Sequence, residues 1–378
     1  MRTEMYHLKI IQVNLTQRLS SILPDIVDEV TLAWQDNTNI TDQWAEINLW
    51  EVMLRVISRA VNRMFVGLPL CRNQEFLDNL VEHAVEVIKT GTILDMTPRA
   101  FRWFVSRYTS NTPKTMKKLM QFIGPIFEER KQKLAKLGDK WTDRPDDAIQ
   151  WILENAPPGE SSSTVQMVNM ILFLNFAAIH TTSLSVTQAL YDLSVHQELH
   201  TPLKEEIRSV LAEDGGWTKQ GLTKMKKLDS VLRESQRLHG VTSAPLMRRA
   251  RVPFTFSDGT FIPKGTVLCA PASAIHFDGF ENPLEFDGFR YERLRKEEGQ
   301  ATKHQMVSTS MEYLAFGHGK HACPGRFFAT NELKVLLCHI IMKCEFKGLA
   351  AKRAEDSFFG FNRVADTSVN LLIRNRKD

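Results

Sequence analysis

The sequence has few cysteines and no pair of them close together. Its five cysteines, in a chain of 378 residues, include no Cys-x-x-Cys pair, and an odd number in a long chain argues against a disulfide framework. We therefore expect free thiols and a reducing compartment. Long basic runs are also missing, and the formal net charge is only +4. This balance predicts no nucleic-acid binding, although a basic face for an acidic protein partner stays open.

Long apolar runs are lacking as well. The most apolar window, 167–179, is shorter than the ~20 residues that a helix needs to cross a bilayer, and we interpret it as part of a buried core helix. The amphipathic N-terminus has no apolar block typical of a signal peptide. An apolar fraction of 43% with 24% charged residues is ordinary for a globular chain, and it predicts a large core.

The spacing of apolar residues predicts a mostly helical chain with a minor β part. Helical periodicity dominates residues 1–205, and a polar break at 154–163 precedes a long helix predicted over 163–200. Residues 226–239 predict a further helix that Gly240 ends. β-Branched and aromatic residues around an Asp-Gly turn at 248–271 predict a small antiparallel sheet. The stretch 277–295 reads as irregular loop, and helix returns after Gly325. No linker is evident, so we predict one domain over 1–378, mixed in character from 206 onward.

The most informative stretch is "FGHGKHACPGRFFA", residues 316–329, because it holds a lone cysteine in a glycine-rich, basic turn. A thiolate is the reactive and metal-binding form of cysteine. Cys323 lies just ahead of a predicted helix, whose N-terminus carries partial positive charge and free N–H groups. Gly317, Gly319 and Gly325 predict close approach and positive φ, and Pro324 suits a first helical turn. The turn is thus suited to a negative sulfur with nothing bulky above it.

Several other chemistries compete for this turn. A phosphate-binding P-loop fails, since Leu314 occupies the position of its first glycine. A zinc site could use His318, His321 and Cys323, although structural zinc sites usually have paired cysteines or longer spacings. A nucleophilic cysteine lacks a visible general base. A lone cysteine is most often structural and buried.

The whole motif resembles the haem-binding loop of cytochromes P-450, whose pattern is F-x-x-G-x-[RH]-x-C-x-G. Phe316, Gly319, His321, Cys323 and Gly325 occupy its positions. The resemblance implies the cytochrome P-450 fold, with haem b as cofactor and the Cys323 thiolate as metal ligand. It further implies that His321 meets a haem propionate. Such a thiolate ligand favours dioxygen cleavage.

Two other motifs fit the resemblance. Glu234 and Arg237 lie one helical turn apart, as in the E-x-x-R helix of the family. The resemblance implies that both join Arg290 in a buried charge cluster behind the cysteine loop. Read alone, the pair is an ordinary surface salt bridge.

The long predicted helix contains "AAIHTTS", residues 177–183, which resembles the family's [AG]-G-x-[DE]-T-[TS] pattern. Thr181 matches the threonine that helps deliver protons to bound dioxygen. His180 stands where the family has an acid, and we include it as a catalytic candidate because histidine titrates near neutrality. Without the resemblance, these residues favour close helix packing and a Thr bond to the preceding turn.

The resemblance implies a monooxygenase that inserts one oxygen atom from dioxygen into a hydrophobic substrate. The combination of motifs looks most like fungal enzymes that oxidise terpenoid-type secondary metabolites. Electrons would come from NADPH through a flavoprotein reductase, with Lys224, Lys226 and Lys227 as possible docking residues or simply a solvated face. Segments 175–181, 241–245 and 358–368 are the candidate substrate contacts.

The N-terminal "HLKIIQVNLTQRL" resembles the third main helix of the family. This predicts a truncated chain that lacks the anchor, the first helices and part of the first sheet. The full-length form is expected on the cytosolic face of the endoplasmic reticulum membrane. Two alternatives stay open, namely a haem-thiolate isomerase or dehydratase and an inactive truncated haem-binding remnant.

Overall fold

The computed structural model describes residues 6–157 and 163–377, and helices dominate them. The helices are α1 Tyr6–Lys9, α2 Leu19–Thr38, α3 Leu49–Phe65, α4 Gln74–Met96, α5 Arg102–Thr109, α6 Thr112–Leu137, α7 Ala148–Asn155, α8 Thr164–Val195, α9 His200–Glu213, α10 Lys219–Lys224, α11 Lys226–His239, α12 Ala272–Phe277, α13 Arg290–Leu294 and α14 Arg326–Lys343. The strands are β1 Ala45–Asn48, β2 Arg248–Arg249, β3 Phe254–Thr255, β4 Phe261–Ile262, β5 Val267–Leu268, β6 Cys344–Gly348, β7 Ser357–Phe359, β8 Asn362–Val364 and β9 Asn370–Asn375. The predicted class, mainly α with small antiparallel sheets, is confirmed.

The chain divides into two compact units. Unit 1 comprises Met1–Thr38 and Leu54–Thr181, and unit 2 comprises Asn39–Met53 and Thr182–Asp378. The division falls inside α3 and inside α8. One catalytic domain over 1–378 therefore stays a prediction.

Unit 1 is a helical layer built around α3, α4, α6 and the first part of α8. The apolar faces of these helices are buried, as their spacing predicts, with Ile57, Phe76, Leu119, Phe127 and Ile171 all shielded from solvent. Asn73 caps α4 by accepting a hydrogen bond from Phe76 N at 2.9 Å, which satisfies one of the free donors at the helix start.

A buried ion-pair group also holds unit 1 together. Glu29 is fully buried and accepts hydrogen bonds from Arg59 and from Arg72, the latter at 2.8 Å. Burial alone would raise the pKa of Glu29, but the two arginines outweigh it and lower that pKa. Removal of either arginine would leave a buried charge underpaired.

Helix α8 confirms the predicted long helix, although it ends earlier than expected. It runs to Val195, where His196 leaves the helical conformation with φ −109° and ψ 66°. Among the described residues it is the one helix long and apolar enough to cross a membrane, but 67% of its most apolar window is buried. That burial is typical of a core helix, as the sequence predicts.

Unit 2 combines helices with all the strands of the described chain. β9 lies between β1 and β6 in an antiparallel sheet, in which Ile47 pairs with Leu371 and Phe346 with Ile373. The predicted sheet at 248–271 is instead two separate ladders, β2 with β5 and β3 with β4. Each strand has only two residues, and Pro253 and Pro263 lack the N–H that a longer ladder would need.

Helix α11 ends at the predicted glycine, but for a different physical reason. Gly240 has φ −59°, so it does not end the helix as a left-handed glycine cap. A Cβ at this position would lie 2.7 Å from Gln236 O, which is far inside contact distance. Glycine is needed here for close approach of the backbone. The stretch 277–295 is mostly irregular as predicted, apart from the end of α12 and the short helix α13.

Candidate active site

The cysteine loop is a tight, backbone-bonded turn in unit 2. Cys323 N donates to Phe316 O at 2.8 Å and so closes the loop on itself. Gly317 and Gly319 have φ of 67° and 72°, the left-handed region that glycine adopts without strain. A Cβ on Gly319 would meet no atom within 4 Å. The space beside Gly319 is therefore open.

At the end of the loop, Gly325 and Pro324 adopt other positions than the sequence predicts. Gly325 has φ −88° and precedes the first residue of α14, so the predicted positive φ is wrong there. Pro324 lies before this N-cap position, outside the first helical turn. Its ring still fits, because no helical N–H is needed at that point.

The sulfur of Cys323 is subject to opposing influences. Burial raises the pKa of the Cys323 thiol, and this outweighs the lowering effect of hydrogen bonds from the Gly325 and Arg326 N–H groups and of the Arg326 charge. The expectation that the turn favours a thiolate therefore stays a prediction, because burial acts against the lowering effect of the N–H groups on the pKa of Cys323. The Gly325 and Arg326 N–H groups are directed at the sulfur, and a nearby positive charge would further favour its ionised form.

Arg326 is a loop residue that sequence reasoning missed. Its Nε donates to Val307 O at 3.1 Å and an Nη atom to Cys323 O at 2.9 Å. The guanidinium also lies 4.6 Å from the Phe327 ring centroid. An arginine in the first turn opposes the helix dipole, and that unfavourable placement was the available signal. His321 and Lys320 are exposed, while Phe316 is half-buried.

Glu234 of the E-x-x-R motif forms ion pairs with both Arg237 and Arg290. Arg237 donates to both oxygens of Glu234, at 2.8 and 2.7 Å, with both side chains fully buried. Arg290 Nε lies 3.0 Å from Glu234 Oε1. Arg237 also donates to Pro283 O at 2.6 Å. This is a buried, bidentate cluster, which rules out the ordinary surface bridge.

A histidine that sequence reasoning missed connects this cluster to the start of the cysteine loop. His276 Nε2 accepts from Leu314 N at 2.8 Å, so its Nδ1 carries the proton and lies 3.2 Å from Arg237 O. Burial lowers the pKa of His276 to about 4. The ring is thus a neutral bridge between α11 and residue 314.

A second contact from α11 supports the segment before the loop. Arg233 donates to Ser308 O at 2.9 Å, and its guanidinium lies 3.6 Å from the Tyr313 ring centroid. The Tyr313 hydroxyl, fully buried, lies 3.1 Å from Gln236 Oε1. Cation–π packing of this kind is stronger when it is desolvated.

Thr181 and His180 belong to unit 1. The Thr181 hydroxyl donates to Ala177 O at 2.7 Å, and Thr181, Ala177 and Phe173 form one exposed face of α8. His180 Nε2 is buried, and within the described ranges no group bonds to it. Burial lowers the pKa of His180, which favours the neutral ring.

Segment 175–181 is anchored at its first residue. Asn175 is buried and its Oδ1 accepts from Asn62 Nδ2 at 2.8 Å, while its own Nδ2 donates to Ile171 O at 3.1 Å. A buried amide needs such partners. Only part of the segment is therefore open, namely Ala177 and Thr181.

The other two predicted substrate-contact segments meet in unit 2. Ser243 N donates to Phe361 O at 2.8 Å and Arg363 N donates to Val241 O at 2.9 Å. Leu246, the next residue after segment 241–245, has a left-handed φ of 57°. Its Cδ2 would lie 3.7 Å from a Cβ on Gly317, so this segment approaches the cysteine loop.

The competing zinc site gains no support. Over residues 6–157 and 163–377, no group of three or more His, Cys, Asp or Glu side chains could hold a metal ion. His318 instead lies 3.1 Å from the Thr309 hydroxyl.

A helical fold, a lone cysteine in a flat turn ahead of a helix, and a buried Glu–Arg cluster define the class of cysteine-ligated haem proteins. The family description Cytochrome P450 matches residues 8–368. The chain therefore belongs to the cytochrome P450 family, whose members are haem-thiolate monooxygenases. Membership implies a haem with a cysteine thiolate ligand, a redox partner and a hydrophobic substrate.

Curated relatives are similar over nearly the whole chain. Cytochrome P450 monooxygenase 71 of Postia placenta is 38% identical over 98% of this chain and 75% of its own length. Cytochrome P450 monooxygenase hepE of Aspergillus oryzae is 39% identical over 96% of this chain and 67% of its own. Cytochrome P450 monooxygenase olcJ of Penicillium canescens is 34% identical over 98% and 71%, respectively. These fungal relatives support an oxidoreductase of the monooxygenase type.

A solved structure shares the fold. The structure described as retinoic acid bound cyanobacterial CYP120A1 gives a TM-score of 0.73 at 19% identity, covering 98% of this chain and 78% of that one. The cytochrome P450 fold is thereby confirmed. The predicted truncation at the N-terminus stays a prediction.

Proposed function

We propose that this protein inserts one oxygen atom from dioxygen into a terpenoid-type secondary metabolite, with haem b held by the Cys323 thiolate. The observation that carries the proposal is the cysteine loop, in which the Gly325 and Arg326 N–H groups are directed at a half-buried sulfur. A haem iron would supply the positive charge that this sulfur lacks, since a coordinating thiol is deprotonated outright.

The loop residues fit such a planar group. Gly319 leaves the outer face open, and Leu246 lies beside Gly317. We assign Phe316, Gly319 and Gly325 to shaping the loop and His321 to binding a propionate, because His321 is exposed and can donate hydrogen bonds. The bound haem supplies the redox chemistry, and the protein positions the substrate and controls protons.

Thr181 is the proposed proton-handling residue. Its hydroxyl lies on the exposed face of α8 and donates to Ala177 O, so its lone pairs can accept from a water molecule while a rotation frees its proton. His180 is the proposed second member. Its unbonded Nε2 can accept a proton from such a chain when the ring is neutral.

The proposed substrate wall is apolar and partly aromatic. Phe358, Phe359 and Phe361 of the β7–β8 hairpin are exposed. Exposed aromatic side chains of this kind are typical of ligand and partner surfaces. They favour a large hydrophobic molecule such as a terpenoid over a small polar one.

Electrons are proposed to come from NADPH through a flavoprotein reductase. Lys224 is not a free docking residue, since its Nζ lies 2.6 Å from Glu213 and 2.7 Å from Asp214. Lys226 and Lys227 stay candidates for that role. The ordinary solvated face is the better description of Lys224.

The proposed location is the cytosolic face of the endoplasmic reticulum membrane, and an exposed amphipathic segment around α5 supports it. Its apolar members are Met96, Phe101, Trp103, Phe104 and Tyr108, each more than half exposed, and its cations are Arg99, Arg102 and Arg107. Aromatic and basic residues together are typical of helices that lie in a membrane interface.

We expect W103S/F104S to weaken co-sedimentation with anionic vesicles, whereas L284S, at another exposed apolar side chain, should not. Equal binding by all three proteins would contradict this surface.

The proposed reaction is tested by isotope incorporation. The holoprotein, a flavoprotein reductase and NADPH would be incubated with labelled dioxygen and a panel of terpenoid hydrocarbons. We expect products that each carry one labelled oxygen atom per turnover. A haem-thiolate isomerase or dehydratase would form product without label, and an inactive remnant would form none.

A further inference from the structure

Six polar side chains in unit 2, each at most 17% exposed, form one group of ion pairs and hydrogen bonds away from the cysteine loop. We call it the hairpin latch, and its members are Gln188, Asp192, His239, Arg353, Asp356 and Arg363. They come from α8, from the end of α11, and from the chain around the β7–β8 hairpin. Two carboxylates and two guanidinium groups balance in charge.

Asp356 lies at the centre of the latch. Its carboxylate accepts from His239 Nδ1 at 2.8 Å, from Arg363 at 2.6 Å and from Gln188 Nε2 at 2.8 Å. Burial would raise the pKa of Asp356, but the hydrogen bond from His239 and the charge of Arg353 outweigh it and lower that pKa. The carboxylate is therefore held ionised within the protein.

His239 joins the two acids. Its Nδ1 bonds to Asp356, and its Nε2 lies 3.4 Å from Asp192 Oδ1. Asp192 is fully buried and is also paired with Arg353. His239 stands directly before Gly240, so the same residue that ends α11 meets the hairpin.

The hairpin needs such support because it has almost no core of its own. β7 and β8 have three residues each, and nearly all of them are exposed. A two-stranded hairpin alone is at best marginally stable in water. Arg363 supplies the connection, since its guanidinium bonds both to Asp356 and to Gly240 O, the latter at 3.2 Å.

The hairpin in turn fixes segment 241–245. Phe361 O accepts from Ser243 N, from the Thr242 hydroxyl at 3.0 Å and from the Ser243 hydroxyl at 3.1 Å. Segments 241–245 and 358–368 are therefore held to each other by hydrogen bonds. The hairpin latch connects both of them to α8 and α11.

We propose that His239 is a positioning residue that locks the β7–β8 hairpin against residues 240–243 and so sets the shape of the substrate pocket wall. The inference rests on the proposed function, because only in that case do these segments face a substrate. His239 touches neither the cysteine loop nor its supporting cluster in the contacts that the described residues show.

The test uses two ligands of different size on the reconstituted holoprotein, followed by their spectral shifts. Imidazole reaches only the iron, whereas clotrimazole also fills the surrounding pocket with three aromatic rings. We expect H239A to weaken clotrimazole binding about tenfold, the loss of one to two hydrogen bonds, and to leave imidazole binding unchanged. H239N should restore clotrimazole binding, because its amide can donate where Nδ1 does. K352A is the control, since Lys352 is exposed beside the latch and pairs with the equally exposed Glu355.

Amide hydrogen exchange supplies a readout that does not depend on haem. We expect exchange of residues 357–364 to quicken about tenfold or more in H239A, and to return towards the wild-type rate in H239N. Faster exchange with unchanged clotrimazole binding would overturn the pocket role, and equal weakening of both ligands would place the effect at the iron. Unchanged exchange would overturn the latch itself. A wild-type protein that gives no shift with imidazole would contradict the proposed function, a failure distinct from all of these.

Discussion

At the scale of the residue, His276 shows how a buried neutral ring ties the fold to pH. Its pKa is lowered by burial to about 4, below the ordinary value of ~6.5. The neutral form is therefore the stable one in the fold. The stability that it contributes is present above pH ~6.5 and is lost as the pH falls towards 4.

We expect H276Q to make the stability of the fold less dependent on pH between 6.5 and 4. Glutamine keeps an acceptor for Leu314 N but has no charge to gain in acid, so the difference in unfolding free energy between wild type and variant should change by about 3 kcal/mol between pH 6.5 and 4. Denaturant titrations at a series of pH values measure it. A curve for H276Q that runs parallel to the wild type would disprove the bridging role.

Glu332 makes the stability of the fold depend on pH in the opposite direction. It is fully buried in α14, both carboxylate oxygens lack a hydrogen-bond partner among the described residues, and burial raises its pKa to about 8. The protonated form is favoured in the fold. Its stabilising contribution is complete below the ordinary pKa of ~4.3 and declines as the pH rises to 8.

E332Q should remove that decline, because the amide has nearly the same shape and cannot ionise. At pH 9 we expect the variant to be more stable than the wild type by an amount on the order of 5 kcal/mol. Thermal unfolding at pH 5 and at pH 9 would measure the gain, with E355Q at an exposed site as the matched control. A variant less stable than wild type at pH 9 would show that Glu332 has an ionic partner.

At the scale of the element, the helix α11 supports the cysteine loop and the hairpin through its buried polar side chains. It supplies Glu234 and Arg237 to the charge cluster, Arg233 to the segment before the cysteine loop, and His239 to the hairpin latch. These residues lie on several faces of the helix, which is why almost all of α11 is buried. A helix buried all round has to satisfy its charges internally.

R237A should therefore destabilise the protein severely. It leaves Glu234 buried with only Arg290 beside it, and a broken buried pair costs about 3–5 kcal/mol. R293A removes a surface pair with Asp287 and should cost less than about 1 kcal/mol. Urea unfolding of both variants, together with their haem content, compares them. A small effect of R237A would mean that the cluster is not needed to hold the loop.

At the scale of the whole molecule, local pattern predicted the helices well and long-range pairing poorly. The apolar spacing was enough to predict a mostly helical stretch over 1–205, which contains α2 and α3, and the helix α11 at 226–239. The turn at Gly317 and Gly319 was also predictable, because positive φ favours glycine so strongly. Each of these features depends on neighbours within a few residues.

What the sequence could not reveal depends on distant partners. The roles of His276 and His239 depend on contacts with residues far away in the sequence. His276 bonds to Leu314 N, and His239 bonds to Asp356. The same holds for the pKa of Cys323, which the helix terminus lowers and burial raises. Burial is set by the packing of the whole unit and is not contained in the loop sequence.

The central claim is that Cys323 is the haem ligand, and the carbon monoxide difference spectrum of the reduced protein tests it most directly. We predict the red-shifted band of a thiolate-ligated haem for the wild type and for C269A, whose cysteine is exposed, and its complete loss in C323A. A C323A protein that keeps the red-shifted band, or a wild type that retains haem without ever showing it, would contradict the account.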